Sequence, residues 1–180
     1  RVILPEVQKL RGVKQSKKNH PEGDVMIHTG LVLKALVKGK QKPESALVMA
    51  GLLHDIEKPS TYFRDRKGIH FYGHETKGVV TSLKILKRLR FSRQDQDKVS
   101  YMIRNHLRWF SAPEMRLTRL RNHFAHPYFF LALELLRADS EGSNGDIHAY
   151  RYIKAQQKKV TTKGVATEPL IRGRDLISMG

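Results

Sequence analysis

Several apolar stretches of this chain repeat at three- and four-residue intervals, and they begin or end on a histidine or an aspartate. His28 opens one stretch, and His54-Asp55 closes the run Ala46 to Leu53 just before Pro59. His74 and His106 lie downstream, and Asp139 follows the run Phe129 to Ala138. Helices with apolar stripes must bury them against one another. A helical bundle is therefore predicted, with imidazoles and carboxylates converging at its centre, where metal sites are built from facing helices.

The spacing predicts a helix capped by Asp24 and running to about Lys38, with Val25, His28, Leu31, Val32 and Ala35 on one face. Gly39 and Pro43 break it, and Pro43 suits the first turn of the next helix. There Ala46, Leu47, Ala50, Leu53 and His54 form the buried stripe. Lys58 to Gly73 reads as a loop with a short hairpin at Tyr62-Phe63 and Ile69 to Tyr72. Further helices are expected over His74–Leu89, Arg93–Arg108, Pro113–Phe124 and Pro127–Asp139. Ser140 to Gly145 has turn chemistry, and Asp146 to Lys159 reads as a basic helix. Val160 to Gly173 is a loop, and Arg174 to Met179 starts another short element. The class is all-α, with basic flanking segments.

With 180 residues, 39% of them hydrophobic, the chain can build one domain with a real core. No cysteine is present, which excludes disulfides, thiolate zinc sites and a cysteine nucleophile and fits an intracellular protein. No apolar run approaches the roughly 20 residues that cross a bilayer, and no signal peptide is visible. The chain opens on Arg1 rather than Met, so a piece of a longer protein is expected. Lys and Arg number 34 against 17 Asp and Glu, a net charge of +17, which favours polyanions, most often nucleic acid.

Imidazole with carboxylate and no sulfur suits Mn, Fe, Co, Ni or Zn, whereas Mg prefers oxygen. On an ideal helix the side chains of His54 and Asp55 diverge by about 100°, so both reach one ion only at a helix end. A carboxylate can bridge two ions, which makes Asp55 the natural bridge if two bind. A lone histidine on an apolar face is usually a satisfied core residue, so the case rests on the combination. His20, His70, His123, His126 and His148 are the histidines to discount first, although His70 competes with His74.

The order His28, His54-Asp55, Asp139 resembles the HD superfamily of metal-dependent phosphohydrolases. The wider text is similar to the HD domain of bacterial tRNA nucleotidyltransferases (CCA-adding enzymes) and related poly(A) polymerases. Leu4-Pro5-Glu6, Gln15, His20-Pro21-Glu22-Gly23-Asp24 and His28-Thr29 carry its start. Leu52-Leu53-His54-Asp55 with Lys58-Pro59, then Phe71-Tyr72-Gly73-His74-Glu75 with Gly78, continue it, and Arg137-Ala138-Asp139 matches the last ligand position. Pro169-Leu170, Gly173-Arg174-Asp175-Leu176 and Gly180 resemble the segment that follows. The family often has Gly between the HD dipeptide and its Lys, where this chain has Ile56-Glu57, and Glu57 is expected to face solvent. The resemblance divides the chain into a lead-in segment 1–23, an HD domain 24–159 and a C-terminal segment 160–180 that starts a further helical region.

By position, the resemblance implies one or two divalent ions (Mn, Ni, Co, Fe, Zn or Mg). His28, His54, Asp55 and Asp139 would hold the first, and Asp55, His74 and His106 the second. A bound ion activates water and polarises a phosphoryl oxygen. Asp55 could also orient the nucleophile, and Lys58 could neutralise a phosphate oxygen or simply be a solvated lysine. The implied substrates are 2′,3′-cyclic phosphates, 2′-nucleotides or phosphorylated RNA 3′ ends, in the cytoplasm. The Gly-Ser loop and paired-carboxylate strand of a nucleotidyltransferase head are not found, so this chain should not add nucleotides by itself.

Basic residues gather in three runs: Lys84, Lys87, Arg88, Arg90 and Arg93; Arg116, Arg119 and Arg121; Lys154, Lys158, Lys159 and Lys163. Lys84, Lys87, Arg88, Arg116, Arg119 and Lys158 are the candidate RNA contacts, with the body of a tRNA as ligand. Trp109-Phe110 reads first as core and only second as a base-stacking pair. Competing readings are a phosphohydrolase, a non-catalytic RNA-binding tail of a nucleotidyltransferase, and a dimerisation module.

Overall fold

The computed structural model describes residues 3–38 and 42–163, the side chains of the last three excepted. Among them the all-α class holds. The helices are α1 (Pro5–Gln8), α2 (Val25–Val37), α3 (Ser45–Leu53), α4 (Lys58–Thr61), α5 (His74–Arg88), α6 (Arg93–Asn105), α7 (Leu117–Phe124), α8 (Phe129–Gly142) and α9 (His148–Lys163). A 3-10 segment, His106–Glu114, follows α6. The small hairpin pairs β1 (Phe63–Asp65) with β2 (Gly68–His70) in antiparallel register, Phe63 opposite His70.

Caps and apolar stripes place these elements. Asp24 caps α2 by accepting the Met26 and Ile27 backbone N–H groups, and the Ser92 hydroxyl accepts the Asp95 N–H at the start of α6. Helix α2 packs against α8 and α3, while α6 packs against α5 and α3. Between them lie the fully buried Leu53, Ile85, Leu86, Met102, Ile103, Leu133, Leu135 and Leu136. Trp109 and Phe129 meet edge to face with centroids 5.1 Å apart, so Trp109 is core and does not stack on bases.

Gly142 lies where α8 crosses α2. A Cβ there would lie 2.9 Å from the Val32 backbone nitrogen, so only hydrogen lets α8 approach α2 this closely.

Several boundaries differ from expectation. Leu31 is 38% exposed rather than part of the buried stripe. Pro43 precedes the cap Glu44 instead of opening the helix. Part of the 58–73 loop is helix α4. Helix α6 ends at Asn105, not Arg108, because the chain tightens into the 3-10 segment. Pro113 lies inside that segment, and Met115 is extended, so α7 begins only at Leu117. Helix α8 continues past Asp139 through the buried Ser140 to Gly142, where the lack of a side chain lets it pack against α2. Helix α9 runs to Lys163 and overruns the expected loop start at Val160. Gly39 and the readings placed on 164–180, including Pro169-Leu170 and Gly173 to Gly180, lie outside the described residues.

Candidate metal centre

Helix ends deliver the six side chains. His28 stands in the first turn of α2, and His54 is the C-cap of α3, followed directly by Asp55. His74 is the first residue of α5, set after Gly73, whose φ of 75° turns the chain into the helix. His106 marks the junction of α6 with the 3-10 segment, and Asp139 lies in the last turn of α8. All six are buried. At the end of α3 the chain turns, which answers the 100° divergence of two neighbouring side chains on a helix.

Two groups result. In the first, His28 Nε2 lies 3.3 Å from His54 Nε2 and 3.1 Å from an Asp139 carboxylate oxygen. In the second, His74 Nε2 lies 3.2 Å from His106 Nε2. Asp55 stands between them with one oxygen for each. Its Oδ2 is 3.2 Å from His54 Nε2 and 3.8 Å from His28 Nε2, and its Oδ1 is 3.3 Å from His74 Nε2 and 3.9 Å from His106 Nε2.

The other nitrogen of each ring explains the arrangement. His54 Nδ1 lies 2.9 Å from the Gly51 carbonyl, His74 Nδ1 2.6 Å from Phe71 O, and His106 Nδ1 2.6 Å from Ile103 O. A carbonyl only accepts, so each Nδ1 carries the proton and each Nε2 turns a lone pair inward. His28 Nδ1 donates to a Glu22 carboxylate oxygen at 2.9 Å and lies 3.4 Å from Gly142 O. Inward lone pairs and carboxylates with outward N–H bonds form a donor set that fits a divalent cation, with the second-layer partners that orient histidine ligands already in place. An ion held by His28, His54, Asp139 and Asp55, and another by His74, His106 and Asp55, fits the chemistry of these groups.

Electrostatics divide the histidines. Burial disfavours the His28 imidazolium, but Asp139 and Glu22 outweigh it and hold the pKa at about 10. Burial and the neighbouring His54 push His106 down to about 4, so its Nε2 lone pair is available at neutral pH. Burial also works against the charged form of His74, yet Asp55 raises its pKa. Asp55 stays ionised despite its burial because His54, Lys58 and His74 surround it, and Asp139 does so because of His28 and His54.

Lys58 is not a solvated lysine. Its Nζ is buried, 2.8 Å from Asp55 Oδ2, donates to the Gln15 side chain at 2.5 Å and lies 5.2 Å from the centre of the Phe71 ring. Glu57 is half-buried rather than simply solvated, and it accepts the Thr81 hydroxyl at 2.5 Å and also pairs with Ser60.

Sequence reasoning did not single out Glu22 and discounted His20, which the structure places beside His28. His20 Nδ1 lies 3.0 Å from the same Glu22 oxygen that binds His28, and its ring meets the His28 ring edge to face. The pattern His-Pro-Glu just before the capping Asp24 was the available signal. His70, His123, His126 and His148 lie outside the clusters, with His70 held 3.0 Å from Asp65. Of the basic candidates, Lys84, Lys87, Arg116, Arg119 and Lys158 are exposed. Arg88 is also exposed but forms a two-pronged pair with Glu6, at 2.7 and 2.9 Å. Lys163 lies among residues whose side chains are not described.

Two cavities open onto the centre. One, of about 420 Å³, is lined by His74, Lys58, His20, Asn19, Phe71, Tyr72 and Leu107 among others. The second, of about 390 Å³, is lined by Asp55, His106, Asp139, Phe110 and Asn144 among others, and shares Asn19, His20, Lys58 and Leu107 with the first. No helix among the described residues is long and apolar enough to cross a membrane.

Residues 25–142 match the HD domain. The Multifunctional CCA protein of Actinobacillus pleuropneumoniae serotype 5b (strain L20) is 37% identical over 120 residues, covering 64% of this chain and 28% of that protein. The Multifunctional CCA protein of Nitrosococcus oceani is 30% identical over 188 residues, covering 99% of this chain and 44% of that one. The A-adding tRNA nucleotidyltransferase of Deinococcus radiodurans is 26% identical, with 99% and 42% covered. The chain thus spans less than half the length of these relatives.

Proposed function

The chain belongs to the HD-domain family, with an HD domain like that of CCA-adding enzymes, and we propose that it is a divalent-metal-dependent phosphohydrolase acting on nucleotides or RNA 3′ ends. One observation carries this reading. The two oxygens of Asp55 face two separate histidine pairs, the arrangement a bridging carboxylate needs. His28, His54 and Asp139 would hold one ion and His74 and His106 the other, with Asp55 shared. When bound, such ions would supply an activated water and neutralise charge on a phosphoryl group.

The chain's own residues do the rest. Asp55 is held ionised and can fix the nucleophile's orientation. Lys58 lines both cavities, within reach of a phosphate oxygen that would compete with Asp55 for its ammonium. Leu107 and Phe110 are exposed apolar groups at the cavity walls.

The net charge of +17 and the names of the relatives favour a second function on the same domain, contact with the body of a tRNA or another RNA. Lys84, Lys87, Arg88, Arg116, Arg119 and Lys158 would supply it, in a cytoplasmic protein whose HD domain spans 24–159 between a lead-in segment and a C-terminal segment. Hydrolysis of a 2′,3′-cyclic nucleotide, with Mn, Ni, Co, Zn, Fe and Mg added singly, tests the first reading. Turnover that requires a metal and disappears in Asp55→Ala supports it. Absence of turnover with every metal, together with retained RNA binding, moves the assignment to a non-catalytic RNA-binding tail.

A further inference from the structure

Beside the centre lies an aromatic platform that the hydrolytic chemistry does not use. The rings of His70 and Tyr72 are nearly parallel, at 7°, with centroids 5.2 Å apart. Tyr72 is 72% exposed, an unusual position for a large ring. The stack is held in advance. Asp65 accepts the Lys67 and Gly68 backbone N–H groups in the hairpin turn and pairs with His70 Nε2 at 3.0 Å, which fixes the ring that Tyr72 lies on.

The platform is tied to the centre through three residues of chain. Phe71, between His70 and Tyr72, accepts the His74 Nδ1 proton on its carbonyl and meets the His74 ring edge to face. Its own ring packs edge to face with Tyr62 and carries the Lys58 ammonium 5.2 Å from its centre. His70, Phe71, Tyr72, His74 and Lys58 line one cavity, with Asn19 and Ser16 on its wall. Its volume of about 420 Å³ falls in the range of small-molecule sites.

We infer that Tyr72, backed by His70, is the stacking platform for the base of the nucleotide whose phosphate reaches the metal centre, with Asn19 and Ser16 as hydrogen-bond partners. This assignment rests on the phosphohydrolase reading for the phosphate and adds the base. Aromatic rings stack on any base, and each stacked base contributes enough to change affinity from several-fold to a hundredfold or more. The strongly basic chain brings polyanions to the surface, and the platform selects among phosphoesters those that carry an unpaired base.

The test compares two probes, adenosine 2′-monophosphate and ribose 5-phosphate, which lacks the base. Their affinities are measured by calorimetry with the whole chain in chelator, then their hydrolysis with the metal that supports the most turnover. The nucleotide is expected to bind at least about tenfold more tightly than the sugar phosphate. Tyr72→Ala should shrink that ratio about tenfold, while Tyr72→Phe, which keeps the ring, should preserve it. Phe130→Ala, an exposed aromatic on α8, should leave the ratio as in wild type. An equal affinity for both probes, or a ratio that Tyr72→Ala does not change, overturns the platform. Circular dichroism of Tyr72→Ala separates loss of stacking from loss of fold. Hydrolysis of neither probe, with the binding ratio intact and sensitive to Tyr72, defeats the hydrolase reading and leaves the platform standing.

Discussion

The Lys58 ammonium lies 2.8 Å from the Asp55 carboxylate, on the oxygen that also faces His54. A cation of the chain's own therefore neutralises the residue proposed to bridge two metals. Lys58→Met should strengthen divalent-ion binding several-fold, because it removes a competing positive charge, while hydrolysis slows by at least about tenfold through loss of a phosphate partner. Metal titration and turnover on the same variant check both signs. Weaker metal binding in Lys58→Met would contradict the competition.

The centre gives the chelator-treated protein a pH window. His28, raised from 6.5 to about 10, contributes stability that is complete below pH 6.5 and lost as pH rises through about 10. Asp139, depressed from 3.8, contributes stability present above pH 3.8 and lost as pH falls through its lowered value. Both contributions are whole only between pH 3.8 and 6.5. The Tm advantage of wild type over His28→Gln should shrink between pH 6.5 and 10, and an advantage that grows over that range would sink the assignment. Metal affinity should run the other way and rise with pH up to about 10, since the ion replaces the His28 Nε2 proton.

Glu22 fixes His28 from outside the centre, at 2.9 Å from Nδ1. Glu22→Gln keeps an acceptor but loses the charge. Metal affinity should fall about tenfold to a hundredfold with the fold unchanged. Calorimetric metal titration beside a circular dichroism spectrum would check it, and an unchanged affinity would remove Glu22 from the site.

Gly142 brings α8 onto α2. A Cβ there meets the Val32 backbone at 2.9 Å, so Gly142→Ala should destabilise by about 1–3 kcal/mol although alanine favours helices. The same shift separates His28 from Asp139 and should weaken metal binding. Gly78→Ala, whose nearest contact is an Ile103 methyl at 3.4 Å, should cost less. Urea denaturation ranks the two.

Lys84→Ala with Lys87→Ala should weaken tRNA binding and flatten its salt dependence by up to about 2 in log–log slope. Arg88→Ala should change it less, because Glu6 already engages that guanidinium. Binding measured across a salt series decides, and equal slopes in wild type and the double variant would place the RNA track elsewhere.

The sequence exposed much of this arrangement because each proposed ligand stands at or near the end of an apolar stripe, where a side chain must point along the bundle axis or into it. His28, His54, Asp55, His74, His106 and Asp139 carried that signal, and the structure brings all six together. Glu22 and His20 carried only the short His-Pro-Glu pattern before Asp24, because residues 16–23 form turns without periodicity and reach the centre only through tertiary packing. Lys58 was ambiguous for another reason, since an aliphatic stem with a charged end reads the same in solvent and against a buried carboxylate. The short α1 and α4 and the 3-10 turn at His106 are too brief to show a repeat. The two small residues that prolong α8, Ser140 and Gly142, resemble a turn until the neighbouring helix is in view.

Three of the four central histidines are leashed in the same way, each Nδ1 to the carbonyl three residues back: Gly51, Phe71 and Ile103. The aim of those rings is thus a property of three separate short stretches of backbone. In a swollen or half-assembled chain the imidazoles would keep their bearing and lose only their meeting point. Rebuilding the centre then reduces to bringing helix ends into register, with no search over ring orientations left to make.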